Sequence, residues 1–279
     1  MSRIPFYVPE ARFGYRIGNG QLVDGLLRDG LIDPYNENHM ALCAESCSKR
    51  HGITRKMQDR HAIESYRRSQ AAWEDKKFYS EVVPVVIRER GDICVERDEE
   101  CFRIDASTIK SLSTSFIKDG SGTVTRGNAS GLNDGAAALV LVSMSKAVEL
   151  GLPVLATIRG FADGEVEPGQ FTTAPSSSIP KALKRGGRSI DEVDVFELNE
   201  AFSVVALANS MILALPEEKV NFSGGAVSLG HPIGCSGARI AVTLLSVMKH
   251  TDSRSGVAGI CNGGGGSTAM VFERASDAK

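Results

Sequence analysis

The sequence lacks the features that mark membrane and nucleic-acid-binding proteins. No stretch approaches the roughly 18 consecutive apolar residues of a membrane helix, and the longest apolar run covers only residues 135–142. Basic and acidic residues number 32 and 34, so no excess of positive charge indicates binding to nucleic acid or to an anionic membrane. We therefore expect a globular protein that binds neither nucleic acid nor membrane.

The sequence also lacks the features of a secreted protein. Six cysteines at irregular spacing do not resemble the disulfide framework of a small secreted domain. The N-terminal residues contain no apolar signal-peptide core, and the final Ser-Asp-Ala-Lys is not a known targeting signal. We expect a reducing compartment, with the cytoplasm first and mitochondria or peroxisomes as alternatives.

A metal site is excluded by distance, although His39, Cys43, Cys47 and His51 recur every four residues. On one helix these side chains would share a face. At ~1.5 Å of rise per residue, however, the first and last of them lie ~18 Å apart. Zinc requires all its ligands within ~2.0–2.3 Å. We therefore predict no metal site.

Hydrophobic periodicity predicts an α/β protein whose C-terminal half alternates between strands and helices. Residues 1–36, rich in glycine, proline and asparagine, favour a loop. Thr54 is a predicted N-cap within a helical region at about 40–77, and Pro180 is expected in the first turn of its helix. The predicted strands are 81–87 and 93–96, joined at 90–92, then 136–142 (buried on both faces), 154–162, 194–198, 219–222, 256–261 and 268–273. The later predicted helices are 145–150, 177–186, 200–214 and 236–249.

Reactive side chains follow several of the predicted C-terminal strands. Asn199 begins the segment NEAF, His231 lies within GGAVSLGHPIGCSGAR (224–239), and Cys261 begins CNGGGG (261–266). Glycine permits close approach of the backbone to a substrate. Loops that follow strands are where layered α/β folds form their sites. These three segments, together with Cys235-Ser236-Gly237 directly after the His231 loop, are therefore the candidate site.

The residue types in these segments suit acyl transfer. A neutral imidazole can take a proton from a thiol and return it later. A second thiol can exchange a proton with the α-carbon of a thioester whose oxygen is held by donors. Asn199 and the backbone N–H groups of residues 263–266 are candidate donors. Taken singly, each group has a more common structural role, as a core histidine, a buried cysteine or a glycine turn.

Together these segments resemble the three C-terminal signatures of the thiolases, near the acetyl-CoA acetyltransferase branch. GNASGLNDGAAALVL resembles the thiolase segment that enters a core strand, and NENHMALCAES resembles a loop-domain segment. The resemblance extends from Ser2 to about Arg274 and implies a thiolase-type layered αβαβα fold. It implies a loop domain at 1–131, a remnant of the N-terminal core domain at 132–152, and the C-terminal thiolase domain at 153–279.

The resemblance also implies a role for each matching residue. His231 would be the base that activates a nucleophilic cysteine, and Cys261 the acid/base acting on the second substrate. Asn199 would hold a water that forms one oxyanion hole with His231, and the N–H of Gly263 would contribute to a second. The pantetheine and acyl pocket would be lined by Ser130, His39, Met40 and Phe202.

The implied substrate is a coenzyme A thioester, with no tightly bound cofactor. The reaction would condense two acetyl-CoA to acetoacetyl-CoA, or cleave a 3-ketoacyl-CoA by thiolysis in reverse. The full-length form would be a homo-oligomer, either a dimer or a tetramer.

The sequence departs from the thiolase pattern in three places. The family nucleophile lies in a C-x-S-G stretch, and none of the six cysteines lies in that context. Because the first three residues match the end of the family's G-G-M-E-S-M-S segment, we expect an N-terminally truncated, inactive thiolase chain. Ala41 replaces a usual glycine, and Arg126 stands where a small residue is usual beside the cofactor.

Two other functions stay open at the level of sequence. The first is a non-catalytic protein that binds coenzyme A or interacts with a thiolase subunit. The second is a relative of the ketoacyl synthases, a family that also sets histidines among glycines. The order Cys261-Asn262-Gly263 favours the thiolases over that family.

Overall fold

The computed structural model describes residues 1–88 and 91–274 and begins with a long loop region, as predicted. Its only strands before residue 40 are β1 (Phe6–Tyr7) and β2 (Val23–Asp24), which pair antiparallel. Two helices follow, α1 (Met40–His51) and α2 (Arg55–Glu74). Gly52, at φ 64°, separates them in the left-handed conformation that favours glycine.

The predicted N-cap and hairpin are both present. The side chain of Thr54 accepts a hydrogen bond from the N–H of Met57 at the start of α2. The hairpin consists of β3 (Val85–Ile87) and β4 (Ile93–Val95), both shorter than predicted and exposed. Of its predicted connection, residue 90 lies outside the described residues. A short helix, α3 (Glu100–Arg103), follows.

The predicted buried strand at 136–142 is wrong. This segment forms no strand, and Val140 and Leu141 are 89% and 67% exposed. Its β-forming side chains have no partner because no strand among the described residues lies beside it to complete a hydrogen-bonded ladder. The next helix is present as predicted, as α4 (Met144–Glu149). Gly151, at φ 61°, follows it.

A four-stranded sheet organises the C-terminal half. Its strands are β5 (Thr157–Glu165), β6 (Val195–Leu198), β7 (Ser255–Asn262) and β8 (Gly266–Glu273). Their order in the sheet is β5-β8-β7-β6. β8 is antiparallel to both of its neighbours, whereas β6 and β7 are parallel. The carboxyl ends of β6 and β7 therefore lie at the same edge of the sheet.

Four helices accompany this sheet. They are α5 (Pro175–Arg185), α6 (Ser203–Ile212), α7 (Ala226–Leu229) and α8 (Ile233–His250). The expected place of Pro180 is wrong, because Pro175 already occupies the start of α5 and Pro180 lies inside it. The predicted strand 219–222 is reduced to one bridge between Phe196 and Val220. Asn221, at φ 51°, ends that pairing.

Each face of the sheet packs against a different helix. On one face, α5 packs against β5, β8 and β7, and its Ile179 and Leu183 belong to the same apolar cluster as Phe196 and Leu198 of β6. On the other face, Leu244 and other residues of α8 pack against Val195 of β6. Because side chains alternate along a strand, residues 197 and 199 follow Val195 onto the α8 face. Among the described residues, no helix is long and apolar enough to cross a membrane.

Candidate active site

The sheet places Asn199 at the carboxyl edge shared by β6 and β7. Its backbone N–H donates to the carbonyl of Gly259 on β7 at 3.0 Å, so the residue is fixed directly after the strand. Its side chain is 1% exposed, and its Oδ1 has no hydrogen-bond partner among the described residues. Buried polar atoms are normally paired. This amide oxygen is therefore available to a ligand at the edge of the sheet.

His231 enters the same region from the loop between α7 and α8. Its Nδ1 lies 2.6 Å from Oγ of Ser236, in the first turn of α8. That hydroxyl donates to the carbonyl of Pro232 at 3.0 Å. A serine hydroxyl has one proton to donate, so Nδ1 must be the donor toward Ser236. This assignment of hydrogens leaves Nε2 as the free acceptor of the imidazole.

The free nitrogen faces the amide of Asn199. Asn199 Nδ2 lies 3.4 Å from His231 Nε2. Burial, with a further contribution from the charge of Arg239, lowers the pKa of His231 to about 4. The imidazole is therefore neutral at pH 7. A neutral imidazole with an exposed lone pair is suited to accept a proton from an incoming thiol.

Cys261 is the second-to-last residue of β7 and so lies near the same edge of the sheet. It is buried against Met40, Phe171 and Val205. Burial raises the pKa of its thiol to about 12, and nearby Cys47 raises it further. The resting side chain is therefore a protonated thiol in apolar surroundings. In that form it is a proton donor.

The glycines after Cys261 form the turn between β7 and β8. Gly264 and Gly265 have φ of 90° and 92°, which side-chain-bearing residues rarely adopt. A Cβ on Gly263 would lie 2.5 Å from Cε of Met40. The turn therefore brings the backbone of Gly263 against one of the predicted pocket residues.

Two of the predicted pocket residues belong to the apolar cluster that contains Cys261. Met40 is a buried member of that cluster, and Phe202 packs against the cluster. The backbone N–H and Oγ of Ser130 both donate to the carbonyl of Ala201, at 3.1 and 2.9 Å, and so place Ser130 beside Phe202.

His39 directly precedes the pocket residue Met40 in the sequence, and its side chain also caps α1. Its Nδ1 accepts from the N–H of Ala41 at the start of α1, and its ring lies 4.6 Å from that of Phe116. The four residues of the metal pattern all belong to α1 or its cap. Within residues 1–88 and 91–274, no group of three or more potential ligands is placed to hold a metal.

Glu200 is a structural centre of the site that the sequence reasoning missed. It is buried, and its carboxylate contacts His61 Nε2 at 3.1 Å, Ser65 Oγ at 2.8 Å and Asn221 Nδ2 at 2.7 Å. Burial opposes its ionisation, but His61 and the hydrogen bonds outweigh that effect and lower its pKa to about 2. The signal was its place beside Asn199 in NEAF. Ser236 lies in the predicted segment Cys235-Ser236-Gly237, but its contact with the imidazole of His231 was not predicted.

Family comparisons agree with this fold. The thiolase N-terminal domain model matches residues 1–145, and the thiolase C-terminal domain model matches residues 152–274. The chain belongs to the thiolase family, as the sequence predicted. The predicted thiolase-type layered α/β fold is confirmed by solved structures.

Individual relatives place the chain among homologues of the acetyl-CoA acetyltransferases. Acetyl-CoA acetyltransferase 1 of Arabidopsis thaliana is 52% identical over 280 residues, which cover 99% of this chain and 67% of the relative. The cytosolic acetyl-CoA acetyltransferase ERG10 of Gibberella zeae is 49% identical, and the match covers 98% of this chain and 69% of that relative. The chain thus spans about two thirds of the length of these relatives.

Two solved structures superpose on most of the chain. The Bacillus anthracis acetyl-CoA acetyltransferase has a TM-score of 0.93 at 39% identity. The match covers 97% of this chain and 68% of that acetyltransferase. The Ascaris suum Acat5 thiolase, solved in complex with coenzyme A, has a TM-score of 0.89 at 40% identity. The match covers 98% of this chain and 69% of that thiolase.

Proposed function

We propose that this chain carries the acid–base part of an acetyl-CoA acetyltransferase site. The reaction joins two acetyl-CoA molecules into acetoacetyl-CoA, or cleaves a 3-ketoacyl-CoA by thiolysis in the other direction. The observation that carries the proposal is the hydrogen-bonded arrangement of His231. Nδ1 donates a hydrogen bond to Ser236, so that Nε2 faces Asn199 as a proton acceptor.

Each side chain has a definite task in this reaction. His231 Nε2 takes the proton of a nucleophilic thiol and later returns it to the departing thiolate of coenzyme A. Asn199, through a bound water shared with His231, donates to the thioester oxygen as that oxygen becomes negative. In thiolysis, the Cys261 thiol gives its proton to the α-carbon released by cleavage. In condensation, the thiolate removes that proton.

The apolar cluster beside Cys261 is the proposed pocket for pantetheine and the acyl group. Met40 and Phe202 supply its apolar wall, with Ser130 and His39 at its margin, and the N–H of Gly263 would contribute to the second oxyanion hole. The Ascaris suum thiolase was solved with coenzyme A. We propose coenzyme A thioesters as the ligands here too, with no tightly bound cofactor.

The proposed reaction also needs a nucleophilic cysteine, which none of the site residues named above provides. None of the six cysteines lies in a C-x-S-G stretch. Among the described residues, the recorded side-chain partners of the imidazole are Ser236 and Asn199, and no cysteine sulfur lies within hydrogen-bond distance. We therefore propose that the 279-residue chain alone does not turn over. In its active form we propose a homo-oligomer in the cytoplasm, the compartment named for the Gibberella zeae relative.

Deuterium exchange tests the acid–base part without requiring turnover. Acetyl-CoA is incubated with the chain in D₂O, and loss of protons from its acetyl methyl group is followed by NMR. We expect exchange with the unmodified chain that rises with pH as more thiolate forms. Cys261→Ala should abolish it, whereas Cys94→Ala, which alters an exposed cysteine on β4, should not.

Intact-mass spectrometry of the same mixture tests the second part of the proposal. We expect no acetyl adduct on the protein. An acetylated cysteine together with formation of acetoacetyl-CoA would contradict the expected inactivity. Binding of coenzyme A in a calorimeter without methyl exchange would instead favour a non-catalytic binding protein.

A further inference from the structure

The loop that carries His231 packs against the segment 131–135, which directly precedes the exposed residues 136–142. The backbone N–H of His231 donates to the carbonyl of Gly131 at 3.1 Å. Four residues further along the segment, a Cβ added to Gly135 would lie 2.7 Å from Cγ of Pro232. The two stretches of backbone are thus in close contact, so the place of the histidine depends on the segment 131–135.

Asn133 fills the space that a side chain at residue 230 would need. Gly230 follows α7 directly and has φ 94°, a conformation that favours glycine. A Cβ added there would overlap with Oδ1 of Asn133. The carboxamide of Asn133 therefore lies directly on the backbone of the residue that precedes His231.

Glu100 of α3 fixes the orientation of this carboxamide. Its Oε2 accepts a hydrogen bond from Nδ2 of Asn133 at 3.2 Å and another from Nη1 of Arg103 at 3.0 Å. A carboxylate paired with a guanidinium only accepts hydrogen bonds. The amide nitrogen of Asn133 must therefore face Glu100, and its oxygen must face Gly230.

The amide oxygen of Asn133 has no hydrogen-bond partner of its own. It is buried, and within residues 1–88 and 91–274 no group donates to it. An unpaired buried oxygen costs stability, and an apolar side chain of similar size would fill the space without that cost. An apolar side chain, however, would lack the hydrogen bond to Glu100 that fixes the group over Gly230. We look for the reason for this asparagine in the position of the loop.

We propose that Asn133, oriented by Glu100, is a positioning residue for His231. Its carboxamide holds the backbone of Gly230 and thereby keeps the imidazole where Nδ1 reaches Ser236. The inference rests on the proposed function, because it takes His231 as the base of the site. The position of the imidazole can nevertheless be measured whether or not the chain turns over.

¹⁵N NMR of the histidine-labelled full chain tests the role of Asn133. In the unmodified chain we expect one tautomer of His231, protonated at Nδ1. Asn133→Ala removes the carboxamide, so the loop can move away from Ser236, and we expect a mixture of Nδ1–H and Nε2–H forms. Asn36→Ala is the matched control. Asn36 also donates to a carboxylate, that of Asp33 at 3.0 Å, and its loss should leave the His231 signals unchanged.

An exchange of donor and acceptor tests the role of Glu100. In Asn133→Asp two carboxylate oxygens would face each other across the present hydrogen-bond distance, and their repulsion should again produce the mixture of tautomers. Adding Glu100→Gln supplies an amide that can donate to the new carboxylate, with the same side-chain shapes and the same total charge. We expect the double variant Asn133→Asp/Glu100→Gln to restore the single tautomer of His231.

A double-mutant cycle in urea unfolding tests the contact with Gly230. In Gly230→Ala the new Cβ meets the carboxamide of Asn133, whereas in Gly230→Ala/Asn133→Ala only the strain of the left-handed backbone remains. We expect the double variant to lose less stability than the sum of the losses in the two single variants. Losses that simply add would contradict the contact.

Two results would overturn the proposal. One is a set of His231 signals that is the same in Asn133→Ala and in the unmodified chain, with only a loss of stability, as a purely structural asparagine would give. The other is the same signals in Asn133→Asp with and without Glu100→Gln. If Asn133→Ala does not fold, the exchange variants, which keep the shapes of both side chains, still decide the question. Absence of methyl exchange on acetyl-CoA would count against the proposed function but not against this positioning.

Discussion

Oγ of Ser236 lies 2.6 Å from Nδ1 of His231 and itself donates to the carbonyl of Pro232. The serine lies five residues after the histidine, in the first turn of α8, so the helix start and the imidazole are positioned together. Because its single proton goes to Pro232, the serine fixes Nδ1 as the protonated nitrogen. The position of the imidazole proton therefore depends on this serine.

Removing this hydroxyl should release the imidazole from a single tautomer. In Ser236→Ala we expect ¹⁵N NMR to show a mixture of Nδ1–H and Nε2–H forms of His231, with a loss of stability of about 1 kcal/mol from the broken hydrogen bonds. Ser178→Ala is the matched control, since Ser178 is a buried serine that donates to Pro175 within α5. A single unchanged His231 tautomer in Ser236→Ala would refute the assignment.

Cys261 should resist alkylation. With a pKa of about 12, about one thiol in ten thousand is ionised at pH 8, and the side chain is buried. We expect iodoacetamide to modify exposed Cys94 well before Cys261, as measured by peptide mass spectrometry over time. Modification of both cysteines at similar rates would show that Cys261 is more accessible than its packing indicates.

The glycines of the β7–β8 turn should differ in their tolerance of alanine. Gly265 has φ 92°, and an added Cβ would lie 2.2 Å from the backbone oxygen of Val166. We expect Gly265→Ala to lower the free energy of unfolding by about 3 kcal/mol or more. At Gly263 the obstacle is the flexible end of Met40, so Gly263→Ala should cost about 1–2 kcal/mol. Urea unfolding of the two variants side by side checks the order.

Glu200 should stabilise the chain strongly at neutral pH and weakly in acid. Its pKa of about 2 lies below the ordinary 4.5, so its contribution is present above pH 4.5 and is lost as the pH falls toward 2. We expect Glu200→Gln to cost about 3 kcal/mol at pH 7, because it leaves His61 and its neighbours without a charged partner.

An exposed glutamate serves as the control for the stability cost of losing the buried charge of Glu200. Glu217→Gln removes an exposed partner of Arg60, and it should cost less than about 1 kcal/mol. The difference between the unmodified chain and Glu200→Gln in urea unfolding should shrink between pH 5 and pH 3. A difference that does not depend on pH would contradict the ionised state of Glu200.

The candidate site was predictable where chemistry and local sequence coincide. His231, Cys261 and Asn199 each follow a strand or enter a glycine-rich loop, so their places could be predicted from periodicity and motif. The pairing of Glu197 with Arg239 could not be predicted from the sequence, because the two residues meet only after α8 has packed on β6. The segment 136–142 shows the opposite case. Its pattern predicts a buried strand, yet strand formation requires a neighbour that local sequence does not supply.

The sequence by itself determined the family, the alternation of helices and strands, and the candidates for the site, since these depend on side-chain type and short-range spacing. Only the tertiary structure decided which nitrogen of His231 is free, that Cys261 rests as a buried thiol, and that Arg239 of α8 pairs with Glu197 of β6. Proton positions and charge states depend on burial and on partners distant in the chain. Such contacts exist only once the layers of the fold have packed together.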